Sequence, residues 1–172
     1  MNLTSLPARD SDGNLNVVVE SPRGARVKLK YEPEAGIFKF SRPLVLGVAY
    51  PYDWGFIPST RAEDGDPLDA MIYHDVASFP GVVVPSRAIG VVKLVQKEPK
   101  TPKRRNDRLI VVPAHEKRLE DATQIDERVR EELEQFFRVV VLMTAKKVHI
   151  EGWAGPKLAA KLVARACKRE AK

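Results

Sequence analysis

The sequence has very little of what stabilises secreted and membrane proteins. It contains one cysteine, Cys167, among 172 residues, so no disulfide can form within the chain. No apolar run approaches the roughly 20 residues that span a bilayer. The first residues, MNLTSLPARDSDGN, lack the cationic head and apolar core of a secretory signal. We therefore expect one domain, covering residues 1–172, in a cytoplasmic protein that has no membrane partner.

The balance of charge is positive. Lys and Arg together number 29, against 23 for Asp and Glu, and this suits an anionic ligand such as nucleic acid, a phosphate ester or polyphosphate. An ordinary basic surface is the plain alternative. The clearest basic run is KTPKRRNDR, residues 100–108, which contains no aromatic residue for base stacking. We predict a solvated loop there, and no nucleic-acid partner.

The first two-thirds of the sequence has β character. In RVKLKYE, apolar side chains alternate with Lys28, Lys30 and Glu32, a pattern that predicts a strand with one packed and one charged face. Turn signals such as SPRG and PEAG separate the short apolar runs. The predicted strands are NLNVVVE, ARVKLKYE, GIFKF, LVLGVAY, DAMIY, GVVVP, RAIGVVKLVQ and RLIVVP.

The last third changes to a helical period. IDERVREELEQFF has apolar residues at helical spacing, and GPKLAAKLVARACKRE predicts a closing helix with Gly155 as N-cap and Pro156 at its first position. VVVLM and KKVHIEGW are either two strands or one strand and its approach. The predicted fold is mainly β with α: a small, closed β-barrel with two flanking helices.

The stretch EDGDPLDAMI places Asp64, Asp66 and Asp69 within six residues, at the start of a predicted strand. Gly65 permits a tight bend and Pro67 stiffens it. Three carboxylates without cations would repel one another, so the arrangement favours bridging Mg²⁺ or Mn²⁺. An acidic surface turn is the alternative. A calcium loop of the EF-hand type fits poorly, and scattered histidines argue against zinc.

DGDPLDA resembles the signature of the soluble family I inorganic pyrophosphatases. VVVESP, KYEPEAGIFKFSR, YPYDWGFIPST and VHIEGW resemble other segments of the same family, so that the likeness runs from about Val17 to the final helix. The resemblance implies a five-stranded, OB-like closed barrel with flanking helices. It also implies a homohexamer, the assembly of the bacterial members.

The resemblance further implies metal-dependent hydrolysis of pyrophosphate to two phosphates by a metal-activated water, with Mg²⁺ or Mn²⁺ as cofactor. Pyrophosphate and phosphate would be its ligands. The implied roles are metal binding or support for Asp64, Asp69, Glu20 and Glu32, general base for Asp66, and substrate binding for Lys30, Arg42, Arg108 and Trp54.

The second half of the family's site departs from the pattern. Gln96 and Asn106 stand where the family carries carboxylates, unless Glu98 or Asp107 replaces them through a shift of the loop. An amide oxygen can ligate Mg²⁺ but brings no charge. Arg108 stands in place of a lysine.

Two further departures concern phosphate binding. Val140 and Val141 stand where the family has a Tyr-Lys pair, and neither valine can donate a hydrogen bond. Trp54, which replaces a tyrosine, keeps an N–H donor. Lys146, Lys147 and Arg138 are candidates to compensate. Two main hypotheses follow: a working, weak pyrophosphatase, or an impaired relative that binds metal–phosphate ligands or serves a structural role. A nucleic-acid-binding module is a third, suggested by the positive charge and an OB-like barrel, but the acidic cluster argues against it.

Overall fold

The computed structural model describes residues 2–170. Its strands are β1 (Leu15–Ser21), β2 (Val27–Glu32), β3 (Ile37–Pro43), β4 (Asp53–Ile57), β5 (Leu68–Ile72), β6 (Val83–Lys97), β7 (Arg104–Arg105), β8 (Arg108–Pro113) and β9 (Lys147–Ala154). Its α-helices are α1 (Glu127–Val139) and α2 (Pro156–Glu170), and short 3₁₀ turns cover Leu3–Ser5 and Ala122–Gln124.

Five strands close into a ring. Their order is β1, β4, β5, β8 and β6, and β6 pairs back onto β1. All these pairs are antiparallel except β5 with β8, which run parallel. β2 and β3 form a separate hairpin. β7 and β9 each pair with β6 but are not members of the ring. The predicted five-stranded barrel is confirmed.

The barrel strands carry apolar side chains on both faces, and each face packs against one helix. On β5, Met71 belongs to the cluster that includes Leu133 and Phe137 of α1. Its neighbour Ile72 belongs to the cluster that includes Val163 of α2. Burial on both faces explains why these strands read as continuous apolar runs rather than as alternating ones.

Both helices begin where the sequence signals a start. The side chain of Asp126 accepts a hydrogen bond from the backbone N–H of Arg128 and caps α1. The carbonyl of Gly155 accepts from the N–H groups of Leu158 and Ala159, with Pro156 as the first residue of α2. The predicted start of α2 is confirmed.

Three strand predictions need correction. LVLGVAY, residues 44–50, forms a loop rather than a strand, because Gly47 turns the chain at φ 83°. GVVVP and RAIGVVKLVQ are one long strand, β6, with a bulge near Gly90. DWGFI, which the strand prediction omitted, forms β4.

The basic run at 100–108 is only partly the solvated loop that was predicted. Residues 101–105 are exposed, but Asn106, Asp107 and Arg108 are buried. VVVLM forms the end of α1 and a turn, so KKVHIEGW with its approach was the correct alternative. Among residues 2–170, neither helix is long and apolar enough to cross a bilayer.

Gly55 on β4 allows the backbones of β1 and β4 to approach closely. A Cβ atom there would lie 1.9 Å from the carbonyl oxygen of Val18, and that oxygen belongs to backbone that cannot move freely inside a closed ring. We expect Gly55→Ala to lower the free energy of unfolding by about 3 kcal/mol or more. Urea denaturation measures this loss.

Gly47→Ala is the matched control. Nothing lies within 4 Å of a Cβ at Gly47, so only its φ of 83° is unfavourable to alanine. That conformation costs about 1–2 kcal/mol. Equal losses for the two variants would show that the barrel relaxes around the added methyl group.

Candidate active site

A cavity of about 660 Å³ opens between one end of the barrel, the β2–β3 hairpin and the residues that follow α1. Its charged lining comes from separate parts of the sequence. The acidic side chains are Glu20, Glu32, Asp64, Asp66 and Asp69, and the basic ones are Lys28, Lys30, Lys39, Arg42, Arg108 and Lys146. The structure therefore brings together every predicted site residue.

The turn that contains Asp64 and Asp66 directly precedes β5 and lines the acidic side of the cavity. Asp64 accepts a hydrogen bond from the backbone N–H of Asp66 at 3.3 Å, a local contact typical of Asp in turns. Gly65 has φ 92°, which confirms the predicted bend. Lys30 of β2 reaches across the cavity, and its Nζ lies 3.4 Å from Asp66 Oδ2. Both side chains of this pair are more than half exposed, so a ligand can reach them.

Asp69 is held by Arg108. Nη1 of Arg108 contacts Asp69 Oδ2 and also donates to Asn106 Oδ1 at 2.8 Å. The guanidinium carbon lies 5.3 Å from the centre of the Trp54 ring, a cation–π contact. Burial lowers the pKa of Arg108 to about 10 while Asp64 and Tyr50 oppose the shift, so the group is cationic at neutral pH.

The two amides that the sequence predicts in place of family carboxylates bind each other. Asn106 Nδ2 donates to Gln96 Oε1 at 3.2 Å, and Gln96 Nε2 donates to Glu98 Oε1 at 2.9 Å. Glu98 is also paired with Lys146, whose Nζ lies 3.2 Å from Oε1. Lys146 is the one compensating candidate of the three that lines the cavity.

Asp107 does not replace Asn106. Its carboxylate accepts from the backbone N–H of Leu94 at 2.9 Å and pairs with Arg105 at 3.0 Å. The side chain is only 5% exposed, and Asp107 does not line the cavity. Asp107 therefore supplies no carboxylate to the cavity at the position of Asn106.

Glu20 joins β1 to the hairpin. Its Oε1 accepts from the backbone N–H of Tyr31 at 2.7 Å. Burial raises the pKa of Glu20, and the Tyr31 N–H together with the charges of Lys28 and Lys30 opposes that shift. Glu32 lies on the same hairpin and pairs with Lys39 at 3.2 Å.

Arg42 caps the C-terminal end of α1. Its Nη2 donates to the carbonyl of Val140 at 2.5 Å, and a cation is favourable at a helix C-terminus. Val140 and Val141 line the cavity beside it. The apolar departure that the sequence indicated therefore lies in the wall of the site.

Sequence reasoning missed several polar lining residues, among them Lys28, Lys39 and Tyr50. The alternation in RVKLKYE had already placed Lys28 on the same face as Lys30, which was the available signal. Burial lowers the pKa of Lys28 to about 8, and the neighbouring Arg108, Lys146 and Arg42 act in the same direction, against Glu20. Burial also raises the pKa of the Tyr50 hydroxyl.

The donor set fits a divalent cation on one side of the cavity only. Carboxylate oxygens suit Mg²⁺, and Asp64 and Asp69 both offer them. Across residues 2–170, no three His, Cys, Asp or Glu side chains converge as a ready metal site. The mutually bonded amides of Gln96 and Asn106 fit a further cation less well, because an amide oxygen can ligate Mg²⁺ but supplies no negative charge.

A β-barrel whose open end combines clustered carboxylates with facing cations defines a class of proteins that bind phosphate anions. Comparison with known proteins makes this specific. The family model for inorganic pyrophosphatase matches residues 17–171. The chain belongs to the inorganic pyrophosphatase family, whose members depend on metal ions.

Individual relatives agree with this assignment. The inorganic pyrophosphatase of Thermus thermophilus is 39% identical over 173 residues, which cover 96% of this chain and 95% of that protein. That of Synechocystis sp. is 35% identical over 156 residues, 89% of each chain. The crystal structure of the Thermus thermophilus pyrophosphatase superposes with a TM-score of 0.91 at 34% identity, covering 100% of both chains.

The partly buried charge of Lys28 gives a stability prediction for the metal-free protein. Its pKa in the folded protein, about 8, lies below the ordinary 10.5. The charge therefore destabilises the fold below pH 8, and this cost disappears as pH rises through 8 towards 10.5. We expect Lys28→Met to raise the free energy of unfolding at pH 7 by about 1–3 kcal/mol, with the gain shrinking by pH 10.

Urea denaturation at pH 6, 7, 9 and 10 follows this change across roughly the predicted window. Lys30→Met is the control, because Lys30 lies on the same strand face but is 58% exposed at its side chain. A gain for Lys28→Met that stayed constant with pH would mean that packing, not charge, causes it.

Proposed function

We propose that this protein hydrolyses inorganic pyrophosphate to two phosphates, at a low rate, with the help of a divalent cation. The observation that carries the proposal is one cavity in which the turn of Asp64, Asp66 and Asp69 faces Lys30 and Arg42. Membership of the inorganic pyrophosphatase family supports it.

Asp64 and Asp69 would hold the cation, and Glu20 and Glu32 would support it or its waters. Mg²⁺ is the proposed ion, with Mn²⁺ able to replace it, because both prefer carboxylate oxygens. When bound, such a cation neutralises phosphate charge and lowers the pKa of a coordinated water.

Asp66 is the proposed general base. Its carboxylate is 63% exposed in the cavity, where it can accept a proton from an attacking water. Lys30, at 3.4 Å, orients this carboxylate and carries a charge that a phosphate oxygen can approach.

Arg42, Arg108 and Trp54 are the other proposed substrate contacts. Each arginine commits a nitrogen to the protein: Arg42 to the end of α1, and Arg108 to Asp69 and Asn106. A guanidinium has five N–H donors, so both retain donors for phosphate. Trp54 is 7% exposed and supports Arg108 through its ring.

Release of phosphate from pyrophosphate tests this function. We expect turnover with Mg²⁺ or Mn²⁺ and none after chelation. Asp66→Asn should lower kcat by 10²-fold or more, the scale of general-base catalysis, without changing the thermal unfolding temperature.

Asp75→Asn is the control, since Asp75 is a fully exposed carboxylate outside the cavity. Turnover that survives Asp66→Asn unchanged would remove Asp66 from its proposed role. No turnover by the folded wild-type protein with either cation would contradict the function itself.

The apolar wall supports a second candidate, an impaired relative that binds a metal–phosphate ligand. Val140 and Val141 offer no side-chain donor where the cavity meets Arg42. Each charge-assisted contact to phosphate is worth ~2 kcal/mol. If the second candidate is correct, Val140→Tyr with Val141→Lys should raise turnover from near zero by roughly tenfold or more. Unchanged turnover of an already active parent would exclude it.

We further propose a homohexamer in the cytoplasm. Resemblance to bacterial members supports the assembly, and so do exposed apolar side chains such as Leu46 and Phe79, 100% and 74% exposed in the single chain. The lone cysteine suits a reducing compartment. Light scattering on a sizing column would measure the assembly directly.

A further inference from the structure

Arg108 lies where β8 meets β5, beside Asp69 and Asn106. Ala70 of β5 pairs with Leu109 of β8 in a parallel register, so Asp69 and Arg108, one residue earlier on each strand, are neighbours. Nη1 of Arg108 contacts Asp69 Oδ2 and lies 2.8 Å from Asn106 Oδ1. Its side chain is 11% exposed and lies over the Trp54 ring.

The partners of Arg108 are arranged as they would be around a cation. Asn106 turns its oxygen to the guanidinium and its nitrogen to Gln96 Oε1, at 3.2 Å. Gln96 in turn donates to Glu98 at 2.9 Å. The result is a chain of oriented, neutral dipoles that ends on one positive group.

Two further carboxylates, Asp64 and Glu98, line a small pocket beside Gln96 and Asn106. Asp107 is bound to the Leu94 N–H and to Arg105. Glu98 is paired with Lys146. A divalent cation between Asp69 and Asn106 would therefore compete with the guanidinium for Asp69 Oδ2 and Asn106 Oδ1. It would also face that positive charge with Asp64 as the one further carboxylate to offset it, which is unfavourable in a partly buried site.

We propose that the guanidinium of Arg108 replaces a divalent cation between Asp69 and the amides of Asn106 and Gln96. Divalent cations then bind only on the Asp64 side of Asp69. The neutral amides of Asn106 and Gln96 suit the guanidinium of Arg108 better than they suit a divalent metal ion, which prefers charged oxygen ligands. This inference rests on the proposed function in one respect: it takes this cavity to be the active site.

Counting bound Mn²⁺ by electron paramagnetic resonance, without substrate, tests the proposal. The variant Gln96→Asp with Asn106→Asp keeps Arg108, which should pair with the new carboxylates, so we expect no additional ion per chain. Adding Arg108→Lys removes the planar group and should allow an additional Mn²⁺ to bind. An equal gain in both variants would overturn the proposal.

Arg105→Lys, added to the same double variant, is the matched control. Arg105 pairs with Asp107 and Glu151 on the neighbouring strand and does not line the cavity. We expect it to add no Mn²⁺. A gain equal to that of Arg108→Lys would show a general effect of losing an arginine and would also overturn the proposal.

The wild-type protein provides a measurement that needs no variant to fold. In crystals grown with Mn²⁺, anomalous scattering should show no ion within coordination distance of Asn106 or Gln96, and Arg108 should remain on Asp69. An Mn²⁺ peak between Asp69 and Asn106, with Arg108 displaced, would refute the replacement.

Phosphate release tests the proposed hydrolysis independently of the measurements of bound Mn²⁺. An ion count or an ion position that contradicts the replacement leaves the hydrolysis assay unaffected. Conversely, a protein that releases no phosphate can still show Arg108 in the cation's place.

Discussion

The parallel pairing of β5 with β8 is the constraint on which the site depends. It fixes Asp69 beside Arg108, and the acidic turn of Asp64 and Asp66 directly precedes β5. Both strands lie inside a closed ring whose two faces are covered, so a slip of one residue would exchange the side chains of the cluster that includes α1 with those of the cluster that includes α2. Core packing therefore fixes the position of Asp69 and of the acidic turn that precedes β5.

The opposite half of the cavity is less firmly fixed. The β2–β3 hairpin lies outside the ring, and the hydrogen bond from the Tyr31 N–H to Glu20 helps to join it to β1. It brings Lys28 and Lys30 towards the carboxylates. A partly buried Lys28 among other cations destabilises the metal-free fold, and an anion in the cavity would relieve that repulsion. The repulsion that lowers the stability of the free protein would therefore favour the binding of an anion such as phosphate.

The sequence predicted most of the barrel and both helices because these elements have local signals: apolar runs bounded by turns, apolar residues at helical spacing in α1, and Gly155-Pro156 before α2. It failed for LVLGVAY, where seven residues of strand-like composition form a loop. Leu44 and Tyr50 of that loop are buried all the same. The apolar composition of this segment correctly indicates that it is buried. Its residues are buried by packing against α1, however, and not by pairing in a strand.

The sequence by itself determined the family and the acidic turn, and it placed Gln96 and Asn106 among the candidate site residues, because each depends only on residue identity and order. Tertiary structure decided what those two amides contact. The basic run at 100–108 looked solvated, since nothing local shows that Arg108 enters the barrel beside Asp69. Side-chain partners across strands depend on register, and register is set by the closure of the whole ring rather than by any segment within it.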